Sequence, residues 1–144
     1  MSRRVAPLPG STPLFYLQAM PSAGILIIGN EILSGKVVDA NSPYLCRELR
    51  ALGVDVIRVV VIPDEIETIA RDVRAMSDLY DYVFTSGGVG PTHDDLTMEG
   101  VAEAFSVEIE QNESIAGRIE RAQGAVPNES QLKMARIPAG AKLI

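Results

Sequence analysis

The run Thr85-Ser86-Gly87-Gly88-Val89-Gly90-Pro91-Thr92-His93-Asp94-Asp95-Leu96-Thr97 holds the densest chemistry in this 144-residue chain. Glycines at 87, 88 and 90 let a backbone turn sharply and lie close to a ligand. Bare amides in such a turn, ahead of a helix N-terminus, suit a phosphate or another oxyanion. A glycine-rich connection without a ligand is the alternative. The run is neither a Walker loop, which ends in Gly-Lys-Ser/Thr, nor the dinucleotide pattern G-x-G-x-x-G. Two acids, Asp94 and Asp95, follow at once and would repel a phosphate unless a divalent cation bridges them. Capping of the next helix is the simpler use of a carboxylate there.

Other polar residues present the same choice. Asp64 and Glu67 stand at capping-box spacing, so Asp64 is either a cap or a ligand. Glu31 follows a glycine at a strand end, where a carboxylate is not readily buried unpaired. Asp39 and Asn41 precede a helix, where capping competes with ligand contact. His93, the only histidine, can ligate metal, move a proton or be a solvated loop residue. Cys46 falls on an apolar helix face and reads as a core residue. With one histidine and no glycine-framed serine elbow, a serine hydrolase has little support.

The elements that must position these residues follow from periodicity. Ala23 to Gly29 is an apolar, isoleucine-rich run ended by glycine and reads as a buried strand. Asn41-Ser42-Pro43 starts a helix with Tyr44, Leu45, Leu49 and Leu52 on its apolar face, stopped by Gly53. Val54 to Ile62 is β-branched and predicts a second strand. Pro63-Asp64-Glu65 opens a helix with Ile66, Ile69, Ala70, Val73, Met76 and Leu79 in one stripe. Tyr82 to Thr85 is a strand entering the glycine turn. Leu96 to Phe105 is helical, with Val101, Ala104 and Phe105 as its buried side. Val107 to Ile109 is an edge strand, Glu113 to Gln123 a helix, and Gly124 to Ser130 a loop. Arg136 to Gly140 is a turn before a last strand, Ala141 to Ile144. This order predicts an α/β fold: a three-layer α/β/α domain with a mostly parallel sheet and right-handed crossovers. Such sheets bind ligands beyond the carboxyl ends of their strands. Gly29-Asn30-Glu31, Pro63-Asp64-Glu65 and Ser86 to Asp95 all fall at such ends.

Composition narrows the class. The length suits one domain, spanning 21–144. The net charge of −6, with no lysine-arginine stripe, argues against a nucleic-acid partner. No apolar stretch nears the roughly 20 residues that a membrane-spanning helix needs. A single cysteine excludes an intrachain disulfide and a cysteine-rich zinc site and fits a cytoplasmic location. Residues 1–20 contain Arg3, Arg4, Pro7, Pro9 and Pro13 and no acid, and are expected to form a disordered tail. An organelle-targeting peptide is the alternative, and Met20 is a candidate start.

On Gly29-Asn30-Glu31-Ile32-Leu33-Ser34-Gly35-Lys36, Asp39, Asn41, Pro63-Asp64-Glu65 and Ser86 to Thr97, the chain resembles the MoaB/Mog molybdopterin-binding family, from about Ala23 to the end. More narrowly it resembles the N-terminal domain of the competence-damage-inducible CinA family and the molybdopterin-binding-like domain of eukaryotic FAD synthases. The resemblance implies that Gly29, Asn30, Glu31, Asp39 and Asn41 contact ligand, together with Ser86, Gly87, Gly88, Val89, Gly90, Pro91, Thr92 and Thr97. It implies Asp64 and Asp95 as catalytic, and Asp64, Asp94 and Asp95 as ligands of Mg²⁺, Co²⁺ or Ni²⁺. Val89 and His93-Asp94-Asp95 depart from the Gly-Gly-Thr-Gly and arginine-aspartate patterns of molybdopterin adenylyltransferases and match the CinA-like branch. What that branch implies is a metal-dependent pyrophosphatase acting on ADP-ribose or FAD. The partner would be a nucleotide or pterin-phosphate small molecule such as molybdopterin, and the assembly a homodimer or homotrimer. The alternatives are a non-catalytic binding module, a molybdopterin adenylyltransferase of molybdenum cofactor biosynthesis, and a degenerate structural domain. Family members continue into an apolar strand and a Pro-Gly-Val-Pro-like turn, so the domain is expected to be truncated at its C-terminal end.

Overall fold

In a computed structural model, residues 20–144 are described. The expected tail lies outside the described residues, Met20 apart. Strand β1 (Ser22–Ile28) forms because every residue from Ala23 onward is buried, and β-branched side chains fill both faces. It lies between β2 (Asp55–Ile62) and β3 (Tyr82–Ser86), parallel to both, in the order β2-β1-β3. Alternation along β1 splits the core. Leu26 and Ile28 pack with Ile62 against Ile69, Val73 and Met76 of α3 (Ile66–Ser77). Ile25 and Ile27 face the other way, onto Leu49, Leu45 and Cys46 of α2 (Asn41–Ala51) and Ile32 of α1 (Asn30–Leu33). The result is the three-layer α/β arrangement that the sequence predicts.

The register matters most for function. Ile28 lies beside Ile62, and Ile27 beside Ser86. The three strands therefore end level, and Asn30, Asp64 and Gly87 emerge on one rim. Helix α4 (Thr97–Phe105) packs on α3 so closely that a Cβ at Gly100 would fall 2.5 Å from Ile69 Cγ2. That contact fixes the N-terminus of α4 under the rim.

The C-terminal third departs from expectation. Strand β4 (Ile109–Gln111) lies two residues beyond the expected edge strand. It pairs antiparallel with β5 (Arg136–Pro138), a segment expected to be a turn. Residues 141–144, expected to be a strand, form none. Pro138 explains the error: proline is read as a breaker but is tolerated at a strand edge. Helix α5 (Glu113–Gln123) is as expected, but the following loop contains α6 (Glu129–Lys133). Its Asn128 cap and Gln131 form a reciprocal capping box. Four expected core residues are exposed: Tyr44, Leu52, Leu79 and Phe105. Phe105 is 44% exposed, and the Arg74 guanidinium lies over its ring. Val101 and Ala104 pack against the core as expected, and the fully buried residues of α4 are Thr97, Gly100 and Ala102.

Candidate active site at the rim of the parallel sheet

The turn after β3 is built around two glycines in left-handed conformations, Gly87 (φ 102°) and Gly88 (φ 60°). Thr97 clamps them from below. Its hydroxyl donates to the Gly87 carbonyl (2.8 Å), and its amide donates to the Gly88 carbonyl (3.0 Å). Thr97 is 1% exposed, so the expected ligand contact from its side chain is not available; it shapes the turn. The carbonyls of Gly87 and Gly88 are thus directed at α4. Among the described residues the amides of Gly88 and Val89 donate to no protein acceptor. Pro91 and Thr92 are exposed on the outgoing arm.

Neither aspartate of interest is a helix cap. Glu65, not Asp64, precedes α3, and its carboxylate accepts the Thr68 hydroxyl (2.9 Å). Asp64 Oδ2 instead accepts the Asn30 amide across the rim (2.7 Å). Its Oδ1 lies 3.4 Å from where a Gly88 Cβ would be. Asp95 folds back on its own loop. Its Oδ2 accepts both the amide (2.8 Å) and the hydroxyl of Thr92. The same carboxylate oxygen lies 2.8 Å from where a Gly90 Cβ would be. Asp64 and Asp95 therefore bracket the glycine turn, one against Gly88 and one against Gly90. Asp94 has 67% of its side chain exposed and lies 3.8 Å from His93. His93 itself is 99% exposed. Among the described residues no three His, Cys, Asp or Glu groups converge as a preformed metal cage. The expected Asp64-Asp94-Asp95 trio is not such a cage.

On the other flank, Asp39 stands one residue before Ala40, the N-cap of α2, and accepts the first-turn amides of Asn41 (2.9 Å) and Ser42 (3.0 Å). Asn41, expected to cap, instead reaches over to the turn and donates its side-chain amide to Ser86 Oγ (2.8 Å). Asp39, Asn41, Ser86 and Glu31 share a hollow of about 240 Å³ with the apolar walls Ile32, Val37 and Val38. Gly29 is buried; its amide is spent on the Ile62 carbonyl (3.1 Å), and the Glu31 carboxylate folds back over it.

Residues 24–141 match the family described as "Probable molybdopterin binding domain". The chain belongs to this molybdopterin-binding family. A "Probable FAD synthase" of Caenorhabditis elegans is 46% identical over 111 residues, 75% of this chain and 21% of that protein. The crystal structure of "the protein CinA with unknown function" from Thermoplasma acidophilum superposes with a TM-score of 0.81 at 32% identity, covering 86% of this chain and 74% of that one. The molybdopterin biosynthesis enzyme MoaB of Thermus thermophilus superposes with a TM-score of 0.54 at 25% identity, covering 78% and 70%. The chain spans about half the length or less of the curated relatives considered. It is a molybdopterin-binding-like domain of the CinA/MoaB type. None of its described helices is long and apolar enough to cross a membrane.

Within this molybdopterin-binding fold, sequence reading missed Lys133. Its ammonium donates to the carbonyls of Thr92 (2.7 Å), Asp95 (2.7 Å) and His93 (3.4 Å), pinning the acid loop to α6. The signal was Asn128-x-x-Gln131, a capping pattern that announces α6 and places Lys133 in its last turn. Burial raises the Asp95 carboxyl pKa, but hydrogen bonds from the Thr92 hydroxyl and the Gly90 and Thr92 amides, with the nearby Lys133 charge, hold it below the ordinary value. A depressed carboxyl stabilises the fold fully above its unfolded pKa of about 3.9 and loses that contribution as pH falls through the lower folded value. A ¹³C carboxyl titration should therefore give Asp95 a midpoint below about 3.9. A midpoint above it would contradict the loop geometry.

Proposed function

We propose that this domain cleaves the diphosphate linkage of a nucleotide such as ADP-ribose or FAD by metal-dependent hydrolysis. One observation carries the reading: level strand ends put the carboxylates of Asp64 and Asp95 on either side of a turn whose Gly88 and Val89 amides are unspent. Amides alone would serve any phosphate. Carboxylates beside them make sense when the phosphates arrive with a cation. Oxygen donors suit Mg²⁺, which commonly takes one or two protein carboxylates plus substrate phosphates and needs no full protein cage. When bound, the ion would activate water and offset charge at the phosphates. Asp64 Oδ1 and the Asp95 carboxylate are the groups to hold it. A depressed carboxyl like Asp95 is a weak base, so its role is charge and orientation.

In the reaction, the amides of Gly88 and Val89 orient one phosphate. The oxygen of water joins that phosphorus, and its bond to the bridging oxygen breaks. The bridging oxygen leaves on the second phosphate, and the protons of water pass to the products or solvent. The 240 Å³ hollow beside Asn41 and Ser86, with its isoleucine and valine walls, suits the planar base. A pterin-linked phosphate would use the same amides. Val89 is exposed at the tip and brings no hydroxyl to the phosphates, unlike the threonine of an adenylyltransferase turn.

Chromatography of ADP-ribose or FAD incubated with the protein and Mg²⁺, Co²⁺ or Ni²⁺ should show AMP, and a chelator should abolish it. Nucleotide binding with no AMP under any of these ions would leave only a binding module.

A further inference from the structure

A second hollow is roomier than the one beside α2. It lies between the acid loop and the β4–β5 ribbon, encloses about 450 Å³, and is lined by Pro91, His93, Gln111, Ser130, Lys133 and Arg136, with Glu129 also on its wall. A smaller hollow of about 20 Å³ runs from Gly88 and Gly90 past Asp95 to the same Lys133 and Arg136. The large groove thus adjoins the glycine turn through Lys133 and Arg136.

We propose that this groove is a second anion subsite that takes the sugar-phosphate half of the diphosphate ligand, with Arg136 as its contact residue. The proposal rests on the hydrolytic reading above for the identity of the ligand. Arg136 is exposed on β5, opposite Gln111, and makes no ion pair among the described residues. Lys133, by contrast, is committed to three loop carbonyls and forms the wall. In a chain of net charge −6, an unpaired guanidinium beside that ammonium is a local reversal of sign. Guanidinium matches a phosphate's oxygens with two parallel donors. Glu129 supplies the complementary half, since a carboxylate accepts the hydroxyls of a ribose. The groove is walled mainly by polar groups, with Pro91 and Leu132 as its apolar contribution, whereas the hollow near Asn41 offers Ile27, Ile28, Ile32, Val37 and Val38 to the faces of a base. The base then belongs in the apolar hollow near Asn41, and the ligand crosses the turn from one hollow to the other.

Titration calorimetry with ribose 5-phosphate, and separately with AMP, tests the subsite without turnover. Arg136→Met should weaken ribose 5-phosphate by about tenfold, the loss of one charged hydrogen bond. It should leave AMP affinity and the melting temperature unchanged, and Arg136→Lys should recover part of the loss. The subsite is overturned if ribose 5-phosphate does not bind wild type, if Arg136→Met binds it equally, or if AMP weakens as much. If ribose 5-phosphate binds through Arg136 but no AMP forms from ADP-ribose, the subsite stands and the hydrolytic reading falls. If AMP forms with the same kcat/KM in Arg136→Met, the reverse holds.

Discussion

Gly87→Ala is expected to destabilise the domain by roughly 3 kcal/mol or more, and to remove ligand binding with it. Two costs add. Gly87 sits at φ 102°, a region that side chains rarely enter, and an alanine Cβ there would collide with the Ile28 carbonyl oxygen. That carbonyl ends β1, the central strand, where Ile28 is held in register with Ile62 of β2, so it cannot rotate away without disturbing that pairing. Gly35→Ala is the control: its φ is also positive (73°), but nothing lies within 4 Å of the new methyl group. It should cost only about 1 kcal/mol, the backbone penalty alone. Chemical denaturation of the two variants measures the difference. Equal stabilities would mean that the turn is not pressed against β1.

Asp64→Asn is expected to leave stability within about 1 kcal/mol of wild type while lowering AMP formation by about a hundredfold or more. Asparagine can still accept the Asn30 amide through its carbonyl oxygen, so the bridge between the ends of β1 and β2 survives. What is lost is the negative charge beside Gly88. Because Asp64 does not cap α3, the helix start should not respond. A variant that loses melting temperature but keeps turnover would show that the Asn30 bridge is its only role. Steady-state rates and thermal melts on the same preparation separate the two.

The parallel half of the fold was legible because its signals are long. β1 and β2 are runs of β-branched residues, and the stripe Ile69-Val73-Met76 has helical period. The convergence of Glu31, Asp64 and the glycine turn followed from the rule that open parallel sheets bind ligands at their carboxyl ends. What each carboxylate does was not legible, because capping and ligation need the same residue types at the same spacing. At the start of α2, Asp39 accepts the first-turn amides and Asn41 reaches Ser86; at α3, Glu65 precedes the helix and Asp64 accepts the Asn30 amide. The C-terminal region failed for a different reason. α6 has five residues and β5 has three, too few to show a period, and Pro138 and Gly140 suggested a turn. Their positions are set by long-range pairing, Gln111 with Arg136 and Lys133 with the acid loop. The groove was invisible in the sequence for the same reason.

The central claim is that the glycine turn and its two carboxylates receive the diphosphate. Amide chemical shifts recorded while ADP-ribose and Mg²⁺ are added to ¹⁵N-labelled protein test it most directly. The largest changes should fall on Gly88 and Val89, with smaller ones at Asn30 and Thr92, and should vanish without the nucleotide. Changes centred instead on the apolar hollow between Tyr80, Val83 and Phe105, with the turn unmoved, would contradict the account.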